Sequence, residues 1–269
     1  MTEVNPDLEK RLAQVEQQLA LVERHFTSAF WQALDLGYRA SLPHRPLRCI
    51  VCSHTDLRDG YEVLLSDCIF GGGRLERYRC PKCECVFGPQ KYLDLDEPFV
   101  VDDYRMLYSR YAEGDSTENE IKTFFSLTPT REGPYLDWGC GGIWSKTLDR
   151  LRGQGYDVWG YEPSAETARD HVVNKREMIS ARFEGIFSNN VIEHLRDPVA
   201  QFNDFHTILK DKGVMAHSSP CYEYNYAFTR FHTVFLLGRS PHILAERTGF
   251  KVIDHKRDGD YINYVFQRI

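Results

Sequence analysis

A glycine-rich segment between two short apolar runs is the part of the sequence best suited to hold a ligand. The first run ends at Asp137, and Gly139 and Gly141 follow it directly. Glycines in such a turn let a bound molecule approach the backbone without obstruction by side chains. The second run ends in Glu162, and an acid at that position can accept hydrogen bonds from both hydroxyls of a ribose.

The charge of Asp137 separates two classes of nucleotide cofactor. A dinucleotide site uses a GxGxxG turn, with the pyrophosphate at the N-terminus of the following helix. A carboxylate ahead of the first glycine repels a diphosphate but suits a ligand that carries a positive amino or sulfonium group. The segment therefore favours S-adenosylmethionine over NAD. The predicted cofactor-binding residues lie in this turn and at the ends of apolar runs: Asp137, Gly139, Cys140, Gly141, Glu162 and Asn189.

Two histidines are candidates for a general base. Methyl transfer from a sulfonium is an in-line displacement, so an enzyme must align the nucleophile and, for a hydroxyl, remove its proton. His194 lies in the stretch 183–198, after its predicted strand, and His232 follows the aromatic segment 222–231. We predict that His232 or His194 is the base. His217 lies inside an apolar run and is predicted to be a packed residue.

Four cysteines have the spacing of a metal site. Cys49 and Cys52 form one CxxC pair, and Cys80 and Cys83 form a second. Each tight turn lets two thiolates reach one metal, and two turns complete a tetrahedral zinc site. Four protein ligands leave no open position for chemistry, so the predicted role of the zinc is structural.

The choice among the cysteines stays open at this point, because other ligands lie close by. Cys68, Cys85 or His54 could replace one of the four. The separation of the two pairs exceeds the usual spacing for this pattern, so the hairpin between them must be long. Its turn is predicted at the glycines of residues 71–73.

The first segment reads as an amphipathic helix. Its apolar residues recur at alternating spacings of four and three, as in a coiled coil. They are Leu8, Leu12, Val15, Leu19, Val22 and Phe26. This seam predicts either a homo-oligomer formed through residues 6–30 or a helix packed on its own domain, and the number of chains cannot be read from the pattern.

The rest of the chain divides by composition. We predict a coiled-coil helix over 1–37, a linker over 38–47, a zinc ribbon over 48–90 and a helical connector on the substrate side over 91–130. From 131 to 269 short apolar strands alternate with helices, which is typical of a parallel α/β sheet. Three tyrosines of the connector have helical spacing and could wall a pocket or pack inside the fold: Tyr104, Tyr108 and Tyr111.

Composition and charge narrow the function classes. The net charge is −6 and the pI is about 5.9, whereas nucleic-acid enzymes usually have a basic surface. No apolar run is long enough to cross a bilayer, and the N-terminal sequence does not resemble a signal peptide. Eight cysteines in such a chain are better explained as thiols or metal ligands than as disulfides. These features predict a cytoplasmic protein.

The segment 135–164 resembles motif I of class I methyltransferases, with Ile143 where a third glycine usually stands. Glu162 matches the acid that binds ribose in that family. Residues 183–198 (FEGIFSNNVIEHLRDP) resemble the fourth strand and its EH-x-x-DP signature. Two later stretches resemble the fifth strand and the final helix and strand: 208–220 and 245–254. The resemblance implies an α/β, Rossmann-like class I methyltransferase sheet, preceded by the coiled-coil helix and a small zinc ribbon.

A zinc ribbon ahead of this fold resembles bacterial sugar methyltransferases, particularly C-methyltransferases of nucleotide-linked deoxysugars and related glycan enzymes. Those enzymes have a Glu-His pair after the fifth strand, in which the histidine is the base. His232 matches that histidine, but Phe231 stands where the glutamate would be. The sequence therefore predicts O-methylation of a sugar in a nucleotide-sugar, a surface polysaccharide or a glycosylated metabolite.

Three alternatives stay open. A sugar C-methyltransferase is the first. An rRNA or tRNA base methyltransferase with a zinc ribbon is the second, supported by Arg74, Arg77 and Arg79 on one strand and opposed by the acidic charge. A non-catalytic scaffold is the third, and it predicts a damaged cofactor turn, whereas the acids and glycines of this turn are all present.

Overall fold

A computed structural model describes residues 6–108, 111, 114–225 and 228–269. The chain begins with a long helix, α1 (Pro6–Ser41). This helix runs past the predicted end at residue 37, so the linker predicted over 38–47 is wrong for its first four residues. The physical reason is an anchor at the C-terminal end of the helix, where the Tyr38 hydroxyl donates to the Asp94 carboxylate and Arg45 pairs with the same group.

The N-terminal part of α1, up to Phe26, is largely exposed. The six seam residues from Leu8 to Phe26 are each between 49 and 69 % exposed. Trp31 is the first large side chain of the helix to be fully buried, and it packs with Tyr92 and Phe231. The helix therefore docks by its C-terminal part, and its heptad seam faces away from the body.

A small antiparallel module follows. Its strands are β1 (Leu47–Arg48), β2 (Thr55–Asp56), β3 (Glu62–Asp67), β4 (Arg74–Arg79) and β5 (Val86–Phe87). β3 and β4 pair in register from Glu62 opposite Arg79 to Asp67 opposite Arg74. Gly71 and Gly73 have φ of 74° and 67° in the connecting turn, which requires residues that tolerate positive φ. The predicted long hairpin with a glycine turn is confirmed.

Three helices lead to the main sheet: α2 (Gln90–Leu93), α3 (Glu97–Tyr108) and α4 (Thr117–Ser126). These helices occupy most of the segment 91–130, which the sequence predicts to be a helical connector. α4 packs on the main sheet, because Phe124 is fully buried against Tyr135, Tyr156 and Phe187. It is therefore a layer of the C-terminal domain rather than part of a connector.

The main sheet has seven strands. They are β6 (Pro134–Trp138), β7 (Asp157–Tyr161), β8 (Val172–Val173), β9 (Phe183–Asn189), β10 (Leu209–Ser218), β12 (Phe250–Asp258) and β13 (Tyr261–Arg268). The helices of this domain are α5 (Lys146–Gly153), α6 (Pro198–Ile208) and α7 (Ser240–Arg247). A further strand, β11 (Val234–Phe235), lies outside this sheet. The order is β12-β13-β10-β9-β6-β7-β8, with β13 antiparallel to both neighbours and the other pairs parallel. Helices cover the parallel strands, so β6 and β9 are buried along most of their length. This is the expected Rossmann-like sheet.

One short strand joins the two modules. β11 comes from the C-terminal half of the chain but pairs antiparallel with β5 and completes a four-stranded sheet with β4 and β3. The antiparallel module of residues 47–87, called the ribbon below, and the C-terminal domain therefore share a sheet as well as a side-chain interface. Among the described residues, no helix combines the length and the apolar character needed to span a bilayer.

Candidate active site

The glycine turn lies at the carboxyl edge of the parallel strands, between β6 and α5. The backbone N–H groups of Gly139 and Cys140 donate to the Tyr161 carbonyl at the end of β7, at 2.8 and 3.2 Å. The Ser145 hydroxyl accepts from the N–H of Leu148 and caps α5. Hydrogen bonds to β7 thus fix the first end of the turn, the Ser145 cap fixes the second, and the middle of the turn stays open.

Two glycines of this turn are required for different reasons. Gly139 has φ of 80°, and a Cβ atom there would lie 2.7 Å from Cγ2 of Val191. Gly141 has φ of 73°, and a Cβ atom there would meet nothing within 4 Å, so the space beside it is free for a ligand. The Gly141 N–H donates to Oε2 of Glu162 at 3.0 Å, which holds the second-strand acid against the turn.

Asp137 and Asn189 leave polar atoms without partners at this edge. Asp137 is 1 % exposed, and its Oδ2 has no hydrogen-bond partner among the described residues. Burial, together with the charges of Glu120 and Glu162, raises its pKa well above the usual range. Asn189 accepts from the Ser218 hydroxyl, while its buried Nδ2 has no described partner. One acceptor and one donor are therefore available to a ligand here, and a ligand with a positive charge would compensate the charge of the Asp137 carboxylate.

Cys140 differs from the other residues predicted to bind the cofactor, because its side chain points away from the open part of the turn. Its side chain is 4 % exposed and turns into the core, where a Cβ on Gly160 would lie only 2.6 Å from the Cys140 sulfur. Only the main chain of Cys140 is therefore available to a ligand.

A cavity of about 270 Å³ opens where the ribbon, α3 and the main sheet meet. The turn between β3 and β4, the C-terminal part of α3, the start of α4 and the segments after β9 and β10 line it. Its lining includes Phe70, Tyr104, Asn119, Glu193, His194 and His232. Tyr111 also lines this cavity, as the tyrosine spacing allowed, whereas the side chain of Tyr108 and residues 226 and 227 of the aromatic segment lie outside the described part of the structure.

The two candidate histidines come together on the cavity wall. Their ring centroids lie 5.0 Å apart, and one ligand atom each of Glu193, His194 and His232 lie within 4.8 Å of one another. His194 Nδ1 donates to the Phe231 carbonyl at 3.2 Å, which leaves its Nε2 as an acceptor. Burial lowers the pKa of His194 to about 4, so its ring is neutral at physiological pH. A single acceptor hydroxyl in the cavity could contact all three groups.

The comparisons with known proteins decide the family. Residues 110–255, more than half of the chain, match the family described as a methyltransferase domain. The chain belongs to this methyltransferase family. It is a methyltransferase that uses S-adenosylmethionine. No curated protein matches the sequence.

Several solved structures are similar to this methyltransferase at low identity. One is a 1,6-didemethyltoxoflavin-N1-methyltransferase of Burkholderia thailandensis, with TM-score 0.45, 15 % identity, and coverage of 72 % of this chain and 95 % of that one. A glycopeptide N-methyltransferase, MtfA, has TM-score 0.42 and 15 % identity, covering 65 % and 99 %. An S-adenosylmethionine-dependent methyltransferase of Mesorhizobium loti has TM-score 0.40 and 14 % identity, covering 56 % and 98 %.

His217 is a core residue of the methyltransferase, as predicted. It is fully buried in β10 and stacks on Phe205 with ring centroids 5.3 Å apart. Its Nδ1 lies 2.8 Å from the Ser188 hydroxyl, and burial lowers its pKa to about 3. It therefore takes no part in the cavity.

Glu193 is the cavity residue that sequence reasoning missed. It precedes His194 in the EH signature, so the local sequence did hold a signal. The sequence did not indicate that Glu193 lies close to His232, because His232 is far from it along the chain. Glu193 is 1 % exposed, and its backbone carbonyl accepts from the N–H of Thr233 at 2.8 Å, which ties the two segments together.

The four predicted metal ligands of the methyltransferase lie together in the ribbon. Their sulfur atoms all lie within 4.8 Å of one another, with 3.5 Å between Cys49 and Cys83 and between Cys52 and Cys80. A zinc ion about 2.3 Å from each of four thiolates sets sulfur separations of roughly 3.8 Å, so the donor set fits zinc. Cys68, Cys85 and His54 lie outside this group of four.

The two CxxC turns have matching backbones. The N–H of Ser53 donates to the Cys49 carbonyl at 3.0 Å, and the N–H of Glu84 donates to the Cys80 carbonyl at 2.9 Å. Both donor residues have positive φ, 62° and 70°. The same local geometry thus occurs twice, and each copy aims two sulfurs at one point.

Proposed function

We propose that this methyltransferase O-methylates a sugar hydroxyl of a nucleotide-sugar, a surface polysaccharide or a glycosylated metabolite. The observation that carries the proposal is the group of Glu193, His194 and His232 on the wall of the cavity. The cavity volume of about 270 Å³ lies near the lower end for small-molecule pockets, which suits one sugar ring. Aromatic rings of Phe70 and Tyr104 offer apolar surfaces for the faces of such a ring.

Each residue would have a separate role in cofactor binding or proton transfer. Bound S-adenosylmethionine supplies a methyl group on a positively charged sulfur. Asp137 opposes the positive charge of this cofactor, and Glu162 accepts from its ribose hydroxyls. On the other side, the acceptor hydroxyl donates to His232 or His194, which takes its proton as the nucleophile attacks. Glu193 favours the protonated histidine by its negative charge.

Phe231 supports oxygen over carbon as the methylated atom. In the chain it stands next to His232, but its ring packs against Tyr92 and Tyr104 at 5.6 and 5.4 Å and takes no part in acid–base chemistry. Glu193 supplies a carboxylate from another segment, and this one observation keeps C-methylation as a second candidate.

The buried position of Arg77 argues against RNA as the substrate. Of the three arginines on β4, Arg77 is fully buried and Arg79 pairs with Glu62. They cannot form a row of free cations along a phosphate backbone. The net charge of −6 points the same way.

We also propose that Cys49, Cys52, Cys80 and Cys83 bind one structural zinc ion. The sulfur separations and the paired turns support this assignment. Four thiolates would hold the two ends of the β3–β4 hairpin together, in a module too small to fold on its own apolar core.

A methyl-transfer screen tests the acceptor. The protein is incubated with labelled S-adenosylmethionine and a panel of nucleotide-sugars, glycan termini, tRNA and rRNA, and products are read by mass spectrometry and NMR. We expect a methyl ether on a sugar. A new carbon–carbon bond would select C-methylation, and labelled RNA without labelled sugar would overturn the proposal.

The variants Glu193→Gln and His232→Gln test the cavity group in the same assay. Each should lower kcat by about a hundredfold or more, the usual contribution of general-base catalysis, and leave cofactor affinity unchanged. His242→Gln is the matched control, because that histidine is exposed on α7. Equal kcat in all three variants would remove the cavity group from the mechanism.

A further inference from the structure

The loop that carries His232 is held from outside by the ribbon. Arg77 lies on β4, and its Nε and Nη2 donate to the His232 carbonyl at 3.3 and 3.0 Å. The same Nη2 donates to the Thr229 carbonyl at 2.5 Å. One guanidinium therefore spans both ends of the segment 229–232, just behind the cavity wall.

The burial of Arg77 makes these contacts unusual. The side chain is 0 % exposed, and among the described residues no carboxylate lies within ion-pair distance of it. The rings of Phe235 and Phe228 lie 5.1 and 5.8 Å from the guanidinium carbon. A buried charge is costly unless hydrogen bonds compensate it, and the carbonyls of the loop provide that compensation. Most of the hydrogen bonds that Arg77 donates therefore go to the loop, and one goes to the Ser66 hydroxyl within the ribbon.

A second arginine, Arg230 of the loop itself, ties the loop to α3 and to the turn of the hairpin. Arg230 forms a two-point ion pair with Asp103 of α3, at 2.6 and 2.7 Å, and both side chains are buried. Its Nη1 donates to the Phe70 carbonyl at 3.1 Å, and its backbone N–H donates to the Cys68 sulfur. The turn of the β3–β4 hairpin, α3 and the loop are therefore joined around the cavity.

We propose that Arg77 is a positioning residue that holds the His232 loop in place for acceptor turnover. This inference rests on the proposed function, in which His232 contacts the acceptor. The cofactor turn takes its contacts from Tyr161, Glu162 and Val191 instead. The ribbon thus sets the geometry of the acceptor site, and cofactor binding is independent of it.

Arg77→Met tests the role of the guanidinium. The change keeps an unbranched apolar side chain and removes all three loop contacts. We expect kcat at saturating acceptor to fall about a hundredfold, since displacement of a catalytic group by about 1 Å has that effect. The Kd for S-adenosylmethionine should stay within about twofold. Arg77→Lys, which keeps one charged donor, should recover part of kcat, and Arg79→Met is the control on the same strand. An Arg77→Met kcat equal to that of Arg79→Met, or an equal loss of cofactor affinity, would overturn the proposal.

A measurement that does not depend on methyl transfer tests the role of Arg77 whatever the acceptor is. Hydrogen–deuterium exchange of peptides covering 228–236 should rise in Arg77→Met, while exchange of 135–145 stays unchanged. If Arg77→Met does not fold, Asp103→Asn loosens the loop through Arg230 and should raise the same exchange. Unchanged exchange in the folded variants would contradict the positioning role. Raised exchange in a protein that methylates no sugar would instead leave the positioning standing and reject the proposed function.

Discussion

Asp137 is a carboxyl group buried at the site where a positive ligand is expected. Burial raises its pKa well above the usual range, and the charges of Glu120 and Glu162 add to this effect. In the absence of cofactor this residue therefore destabilises the fold at neutral pH. That cost is explained if the group is needed for binding, because buried charged groups at functional sites are retained for their chemistry.

Asp137→Asn should affect stability and binding in opposite directions. The folded pKa of Asp137 lies above its unfolded value of about 3.9, so its contribution to the free energy of unfolding is largest below that pH and falls as pH rises. Asparagine removes the ionisation. The cofactor-free variant should therefore unfold at a higher temperature at pH 7, with a smaller difference from the wild type near pH 4.

The same variant should bind S-adenosylmethionine roughly ten- to a hundredfold more weakly, because a hydrogen bond to a charged group contributes about 1.5–3 kcal/mol. Calorimetry and thermal unfolding between pH 4 and pH 8 measure both effects. Asp149→Asn, an exposed acid on α5, is the control. Unchanged cofactor affinity in Asp137→Asn would mean that this acid has another role.

At the scale of elements, the ribbon is a long hairpin closed at its base by two cysteine turns. The turns repeat one hydrogen-bond pattern, and the four sulfurs converge. The far end of the hairpin reaches the acceptor cavity through Phe70. A metal at the base would therefore stabilise a wall of the active site at a distance.

Cys83→Ser should lower the zinc content to well below one ion per chain and lower the temperature of unfolding. The reason is that three thiolates and a hydroxyl bind zinc less tightly than four thiolates. Cys68→Ser is the matched control, since Cys68 lies outside the group of four. Metal analysis of the purified proteins measures the zinc content, and thermal unfolding measures the stability. Zinc loss in Cys68→Ser, or one full equivalent in Cys83→Ser, would change the ligand assignment.

At the scale of the whole molecule, α1 extends beyond the body with an apolar seam on its surface. Side chains such as Phe26, at 69 % exposed, are costly to leave in water. The heptad spacing is typical of a helix in a coiled coil. Self-association through 6–30 remains our prediction.

Replacing Leu12 and Leu19 together with glutamate should convert an oligomer into a monomer, because two like charges would face each other in every pair of helices. Size-exclusion chromatography with light scattering measures the mass. Leu21→Glu is the control, since Leu21 is 63 % exposed on the same helix but belongs to neither row of the seam. A wild-type protein that is monomeric at high concentration would reject the seam as an oligomer interface.

The local features of this protein were readable from the sequence. The cofactor turn with Asp137 and each of the two cysteine turns span only a few residues, so short-range backbone geometry determines them. The same holds for the alternation of strands and helices, which the sheet confirms. The end of α1 was misplaced because Asp94, more than fifty residues away, anchors it.

Only the tertiary structure decided which groups meet in the acceptor cavity. Glu193 and His232 come from separate segments, and the ribbon supplies Arg77 to a loop about 150 residues further along the chain. No periodicity or spacing encodes such contacts, because they depend on how the ribbon packs against the sheet and on β11 pairing with β5. The backbone of the cofactor turn is thus determined by local sequence, and the group of residues on the cavity wall by long-range packing.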